Sequence, residues 1–145
     1  MRTFVLFPIL IALLSPHLAA QTNAVGSWRA AFVGPTGSRP LTIEAVTFTV
    51  TQTAGGLAVK ALAGSWPGEL DVADVKLDGA TLTFTGTGQS GWSTTGEGYR
   101  CCPKLMFTGT IEGDDMTLTM TWQTTDRPDD PKAHVYPMEA KRLSR

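Results

Sequence analysis

The two cysteines of this chain are adjacent, within the stretch GYRCCPK at residues 98–104. Three arrangements are open for Cys101 and Cys102. A vicinal disulfide would hold the Cα atoms ~3.8 Å apart, nearer than the usual range of about 4.4–6.8 Å, and would force a rigid turn. Alternatively, one thiol is buried and the other pairs between chains, or one or both are buried as small apolar side chains. Pro103 favours the vicinal disulfide, because it pushes Cys102 out of helical geometry and fits a tight turn.

Few residues have catalytic potential. His134 is the only histidine outside the first 20 residues, and a lone histidine at a loop edge is usually just exposed. The stretch GQSGW at 88–92 begins like a nucleophile elbow but has Trp92 where that motif requires Gly. Glu69, Asp71 and Asp74 form an acidic cluster, yet Asp71 and Asp74 would face opposite sides of a regular strand. The residues therefore favour a non-catalytic protein, although they do not exclude an enzyme.

No metal or cofactor site is predicted. Asp114-Asp115 and Asp129-Asp130 are typical of turns, and calcium at either pair would need several more oxygen ligands. Two cysteines and one histidine lack a fourth zinc ligand and the usual ligand spacing. The glycines precede no helix that would form a phosphate cradle.

Aromatic residues in glycine-rich connections are better candidates for binding. Residues 86–99, GTGQSGWSTTGEGY, form a long loop for a compact domain and contain Trp92 and Tyr99. A second connection, residues 64–68, contains Trp66. Ring faces at the mouth of a barrel suit a small apolar or sugar-like ligand. The alternative is that Trp66 and Trp92 fold back over the core as plugs.

The first 20 residues, MRTFVLFPILIALLSPHLAA, are typical of a secretory signal peptide. One basic residue, Arg2, precedes an apolar run of about 11 residues, whereas a membrane span needs roughly 20. An uncleaved anchor is the alternative. No cysteine follows the run, so a lipid anchor there has no acceptor. We expect cleavage after Ala20 and a secreted or periplasmic location, where Cys101 and Cys102 meet oxidising conditions.

The remaining residues, 21–145, have the size of a single domain. Without Arg2 they contain 11 basic and 13 acidic residues, and no basic block occurs among them. Nucleic acid is therefore not an expected partner. No membrane span is expected in this domain.

Threonine alternates with apolar residues along much of the domain, which is the pattern of a half-buried β-strand. In residues 116–122, MTLTMTW, the apolar side chains face one way and the threonines the other. Turn sequences such as Asp78-Gly79 separate these runs. Eight strands are predicted, at Ser27–Val33, Leu41–Thr51, Leu57–Ala63, Leu70–Leu77, Ala80–Thr85, Leu105–Ile111, Met116–Gln123 and His134–Leu143.

These sequential hairpins predict an all-β fold of about eight strands in an antiparallel up-and-down barrel. Closure of the barrel would remove the exposed edges that an open sheet must protect. A two-sheet β-sandwich is the alternative. A bulge or bend near Glu44-Ala45 is expected, because Leu41 and Ile43 are out of phase with the apolar residues that follow.

The two ends of the domain resemble the calycin signature of lipocalins and their relatives. Gly26-Ser27-Trp28 opens the first strand, and the last strand contains Lys141 and Arg142. In that family a first-strand Trp closes the bottom of an eight-stranded barrel and a last-strand basic side chain packs across it. The resemblance implies that Trp28 and Arg142 (or Lys141) close the barrel. Trp28 as plain core packing is the alternative, and a C-terminal helix and the usual lipocalin disulfide to the C-terminal tail are not seen.

The stretches DGATLTF at 78–84 and FTGTIEGD at 107–114 also resemble small exported bacterial β-domains of unknown function.

We expect an exported, non-catalytic barrel that binds a small ligand between the Trp66 and Trp92 connections, as a monomer or a cysteine-linked dimer. A structural or accessory domain that acts through protein contacts is the alternative. A hydrolase that uses His134 would require a carboxylate to converge with it in one cleft.

Overall fold

The computed structural model of the chain describes residues 23–34, 43–64, 68–88, 91–92, 99–100, 103–124 and 134–145. Most of these residues lie in ten strands: β1 (Gly26–Phe32), β2 (Ala45–Thr53), β3 (Gly56–Ala63), β4 (Glu69–Asp78), β5 (Thr81–Gly88), β6 (Gly91–Trp92), β7 (Tyr99–Arg100), β8 (Pro103–Glu112), β9 (Asp115–Thr124) and β10 (His134–Ser144). The eight long strands correspond one to one to the eight predicted from the sequence.

The eight long strands form a closed antiparallel barrel with the neighbour order β1-β10-β9-β8-β5-β4-β3-β2. Each long strand pairs with the next along the chain, and the β6–β7 ribbon is inserted between β5 and β8. The first and last strands pair with each other, with Ala30 opposite Ala140. This closure confirms the predicted all-β up-and-down barrel and excludes the two-sheet sandwich.

Alternation of apolar and threonine residues produces the inside and outside of this barrel. On β9, Met116, Leu118 and Met120 are buried, whereas Thr117 and Thr119 between them face outward. Outward threonine keeps its hydroxyl in water while its branched Cβ suits the pleated sheet. In the described part of the chain, no polar or charged residue is buried, so the interior is apolar.

Aromatic rings fill the middle of the barrel. The centroids of Trp28 and Phe48 are 6.4 Å apart, those of Phe48 and Phe84 are 5.4 Å apart, and those of Phe84 and Phe107 are 4.6 Å apart. These rings are almost completely shielded from solvent. The central layer of the barrel is therefore occupied by the protein's own side chains.

Two irregularities keep the apolar residues inside. A bend at Glu44 precedes β2 and allows both Ile43 and Val46 to be buried, as the phase change in the sequence predicted. In β4 a bulge lies between Ala73 and Lys76. The expectation that Asp71 and Asp74 face opposite sides holds only for a regular strand, and here both are exposed.

The up-and-down order gives the barrel two different ends. At one end, here called the closed end, two-residue turns at 54–55, 79–80 and 113–114 join β2 to β3, β4 to β5, and β8 to β9. At the other, the open end, the connections after β1, β3, β5 and β9 are longer. Long connections are the usual location of binding residues on a rigid scaffold.

The backbone conformation at the β4 bulge can be tested by substitution. Asp74 has a φ of 54°, a left-handed conformation that Asp and Asn tolerate and β-branched residues resist. We expect Asp74→Val to lower the free energy of unfolding by about 1–2 kcal/mol, and Asp74→Asn to be near neutral. Urea denaturation followed by tryptophan fluorescence would measure both. Asp71→Val is the matched control, since Asp71 is exposed on a regular part of the same strand; equal losses at both positions would contradict the role of the φ angle.

Candidate ligand site at the open end

Four rings lie at the open end of the barrel and are here called the rim aromatics: Phe32, Trp122, His134 and Tyr136. Phe32 ends β1, Trp122 lies near the end of β9, and the other two open β10. The closure of β1 onto β10 and the β9–β10 pairing bring them together.

Three of the rim aromatics make direct ring contacts. Phe32 and Tyr136 meet edge to face with their centroids 5.9 Å apart. The His134 ring stacks on Tyr136 at 6.2 Å, and Trp122 is the register partner of His134. Edge-to-face and offset arrangements are the favourable geometries for aromatic pairs. The cluster is thus a coherent aromatic surface formed by neighbouring strands.

Burial distinguishes these rings from the core rings below them. Phe32, Trp122 and Tyr136 are half-buried and His134 is exposed, so each can contact a molecule outside the barrel. Burial raises the pKa of Tyr136 above its ordinary value of 10.0. The cluster therefore offers ring faces together with a neutral hydroxyl and an imidazole.

Three of the rim aromatics have buried apolar register partners. Met120 pairs with Tyr136, Met138 with Phe32, and Leu105 with Trp122 across the strand registers. All three are almost fully shielded from solvent. A ligand at the open end would therefore rest on this layer, at the mouth of the barrel.

The sequence-predicted binding residues fall in the connections at this same end. Trp92 and Tyr99 are opposite each other in the β6–β7 ribbon. Trp66, Cys101 and Cys102 lie outside the described residues. The described strand ends on either side of them are at the open end of the barrel, and for Trp66 these are Ala63 and Glu69.

Sequence reasoning did not select the rim aromatics. Phe32, Trp122 and Tyr136 fall within predicted strands without being singled out, and the sequence offers His134 only as a possible base. In the sequence, these residues are marked by two properties. Each is at an inward-facing position of its strand, and each is near the end of the strand that lies at the open end of the barrel. In the described residues, the ring contact of His134 is with Tyr136, not with a carboxylate. No group of three or more His, Cys, Asp or Glu side chains in this part of the chain could hold a metal ion.

The closed end is sealed by Trp28 and Arg142. Trp28 is fully buried, and its Nε1 donates a hydrogen bond to the Ala24 carbonyl at 3.0 Å. The Arg142 guanidinium carbon lies 4.1 Å from the centroid of the Trp28 ring, a cation–π contact. Lys141, the neighbouring basic residue, instead forms an ion pair with Asp115 on the outer surface.

Arg142 also bonds to two separate segments at the closed end. It donates to the carbonyls of Asn23 (2.5 Å) and Val25, just before β1. It donates as well to the carbonyl of Gly113 (3.0 Å) and to Asp114 Oδ1 (2.8 Å) in the β8–β9 turn. These contacts leave only 5% of the side chain exposed. Arg142 therefore has a structural role at the end opposite the candidate site.

No known protein family, curated protein or solved structure matches this chain. Among the described residues, no helix has the length and apolar character needed to cross a bilayer.

We expect substitution of Arg142 to lower the free energy of unfolding. Arg142→Ala would leave three carbonyl oxygens without their donor and remove the contact with Trp28, so we expect a loss of about 2–4 kcal/mol in the free energy of unfolding. Arg142→Lys should be intermediate, because it keeps the charge but cannot make all four bonds. Chemical denaturation would measure both. Arg145→Ala, which removes an exposed side chain, is the control, and equal losses at 142 and 145 would contradict this role.

Asp114 should make the closed end sensitive to acid. Hydrogen bonds from Arg145 and then Arg142 lower the pKa of Asp114 below its ordinary value of 3.8. The ionised carboxylate therefore stabilises the fold above the ordinary pKa, and this contribution disappears as pH falls through the lowered pKa. We expect Asp114→Asn to be less stable than wild type at about pH 6, with the difference shrinking below about pH 4. Melting temperatures across this range would test it; a constant difference would contradict the linkage.

Proposed function

We propose that this protein is an exported, non-catalytic barrel that binds a small apolar ligand at its open end. The observation that carries the proposal is the cluster of half-buried rim aromatics at the open end of the barrel. Aromatic rings together with a few polar groups are the usual lining of small-molecule sites. Rings with few side-chain torsions also bind at low entropic cost.

The packing below the rim restricts what the ligand can be. Because Leu105, Met120 and Met138 close the layer underneath, the ligand occupies the mouth and does not reach the bottom of the barrel. The described interior is apolar, so the inserted part of the ligand is apolar too. Polar groups of the ligand would meet the Tyr136 hydroxyl and the His134 imidazole. A flat apolar molecule with polar groups at its edge fits best, and a sugar face is the second class to test.

The lipocalin-like assignment belongs to this proposal. It is supported by the closed eight-stranded order and by the contact between a first-strand Trp and a last-strand Arg. Export is supported by the first 20 residues, whose single basic residue and short apolar run are typical of a secretory signal peptide. The oxidising location would in turn favour a disulfide between Cys101 and Cys102.

The test uses N-phenyl-1-naphthylamine, a neutral apolar fluorophore, titrated into the mature protein. We expect binding that weakens by about tenfold or more in Tyr136→Ala and in Trp122→Ala, because each removes a ring face from the mouth. Trp66→Ala and Trp92→Ala test the neighbouring connections in the same way. Leu143→Ala is the matched control, since Leu143 is an exposed apolar residue near the closed end.

Two results would overturn the proposal. One is failure of both the fluorophore and a panel of monosaccharides and disaccharides to bind. The other is binding that the rim substitutions do not affect.

The alternative, an accessory domain that acts through protein contacts, is favoured by one surface feature. Met106 and Val135 are exposed on either side of Thr121, on the outer surface of β8, β9 and β10. Pull-down of a partner that depends on Met106 and Val135, together with absence of small-ligand binding, would favour that alternative over the proposal.

A further inference from the structure

A groove crosses the outer surface of the barrel where the first strand pairs with the last. Its volume is about 380 Å³, and side chains on and next to β1 and β10 line it. Sites for small molecules commonly have volumes of about 300–1,000 Å³. Of the rim aromatics, only Phe32 also lines the groove. The groove is therefore large enough for a small ligand and is distinct from the mouth.

The floor of the groove is formed by a small side chain. Ala31 faces outward from β1, and Arg29 and Val33 lie on the same face, two residues away on either side. The methyl group of Ala31 thus lies in a depression between two longer side chains. Val33 is 42% exposed, and Leu143 on β10 is 60% exposed. The apolar part of the lining is therefore open to contact with an apolar group of a ligand.

Two charged side chains of opposite sign also line the groove. Arg29 lies on β1, and Glu139 lies on β10 opposite Ala31. Both are exposed, and within the described part of the chain neither forms an ion pair. The third charged side chain of the lining, Lys141, instead pairs with Asp115. The groove therefore presents one guanidinium and one carboxylate that can each bind a ligand.

The strand register places these two charges within reach of a single ligand. Arg29 is opposite Lys141, so Glu139 is its diagonal neighbour on the adjacent strand. Diagonal neighbours are about 7–8 Å apart, a distance that two long side chains can span. A direct pair between two exposed side chains contributes little free energy. A ligand that binds both groups therefore has no strong contact to displace.

We propose that the β1–β10 groove binds a small zwitterion that has an apolar body, which is the chemistry of an apolar α-amino acid. The ligand carboxylate accepts hydrogen bonds from the Arg29 guanidinium, whose planar donors match a carboxylate. The ligand ammonium pairs with Glu139, and the apolar body packs on Ala31 and Val33. The inference is independent of the proposed function, because it rests on outward-facing residues of the wall.

The charges of the groove decide against the other classes of small ligand. An anion would bind Arg29 but would be repelled by Glu139, and a cation would be repelled by Arg29 and Lys141. A neutral apolar molecule would leave both unpaired charges without partners. A zwitterion gives each of them a partner of opposite sign.

The experiment titrates L-phenylalanine into the isotope-labelled mature protein and follows the backbone amide shifts by NMR. We expect saturable shifts in β1 and β10. Binding should be weaker by about threefold to tenfold for 3-phenylpropionate, which lacks the ammonium, and for 2-phenylethylamine, which lacks the carboxylate.

Substitutions test the same contacts from the side of the protein. Arg29→Gln and Glu139→Gln should each weaken binding of L-phenylalanine by about threefold to tenfold, and Ala31→Phe, which fills the depression, should abolish it. All three residues are exposed, and circular dichroism would verify that the variants fold. Lys76→Gln and Glu69→Gln remove exposed charges on β4, and as matched controls they should bind as wild type does.

Three results would overturn the inference. One is the absence of saturable shifts at millimolar L-phenylalanine. Another is weaker binding in Arg29→Gln together with tighter binding in Glu139→Gln, because the ligand would then be a simple anion. The third is loss of binding in Tyr136→Ala but not in Arg29→Gln, because the amino acid would then occupy the mouth. Arg29→Gln should leave binding of N-phenyl-1-naphthylamine unchanged, so failure in the groove and failure at the mouth are distinguishable.

Discussion

The pairing of the first strand with the last is the constraint on which the rest of this structure depends. β1 is hydrogen-bonded to both β2 and β10, so the sheet closes on itself. Bringing the two ends of a domain together costs loop-closure entropy. Arg142 offsets part of that cost, because from β10 it reaches the carbonyls of Asn23 and Val25 before β1. The same closure brings Phe32 against Tyr136 and so creates the rim.

Most of the fold could be predicted because a closed barrel has one inside and one outside. A period of two is then the correct pattern for every strand, and the alternation of Leu118 with its neighbouring threonines is enough to orient β9. The departures from period two were also present in the residues. The three-residue step from Ile43 to Val46 was recognised as a bend. The equivalent step from Val72 to Val75 also marks a bulge, although the predicted strand Leu70–Leu77 is regular.

The sites were less predictable, for two physical reasons. A half-buried ring at the mouth differs from a buried core ring in its position along the strand and in the side chains around it. Both properties depend on how the strands pair. Phe32 and Tyr136 are 104 positions apart and meet only through closure. No residue type in the sequence marks the place where the groove forms, because Arg29 and Glu139 become neighbours only when the first and last strands pair. Reasoning from composition instead favours Trp66, Trp92 and Tyr99, because they occur in glycine-rich connections.

The filled centre explains why both proposed sites lie outside the core. Phe48, Phe84 and Phe107 occupy the middle layer, and native interiors leave few voids for a ligand. Among the described residues, apolar side chains that pack on the core yet are only partly buried lie at the mouth and on β3 and β4. The β1–β10 groove instead uses the outward positions of its strands, where Arg29 and Ala31 alternate with buried residues. The period of two that fills the barrel therefore also places a charge beside an apolar floor on the outer surface.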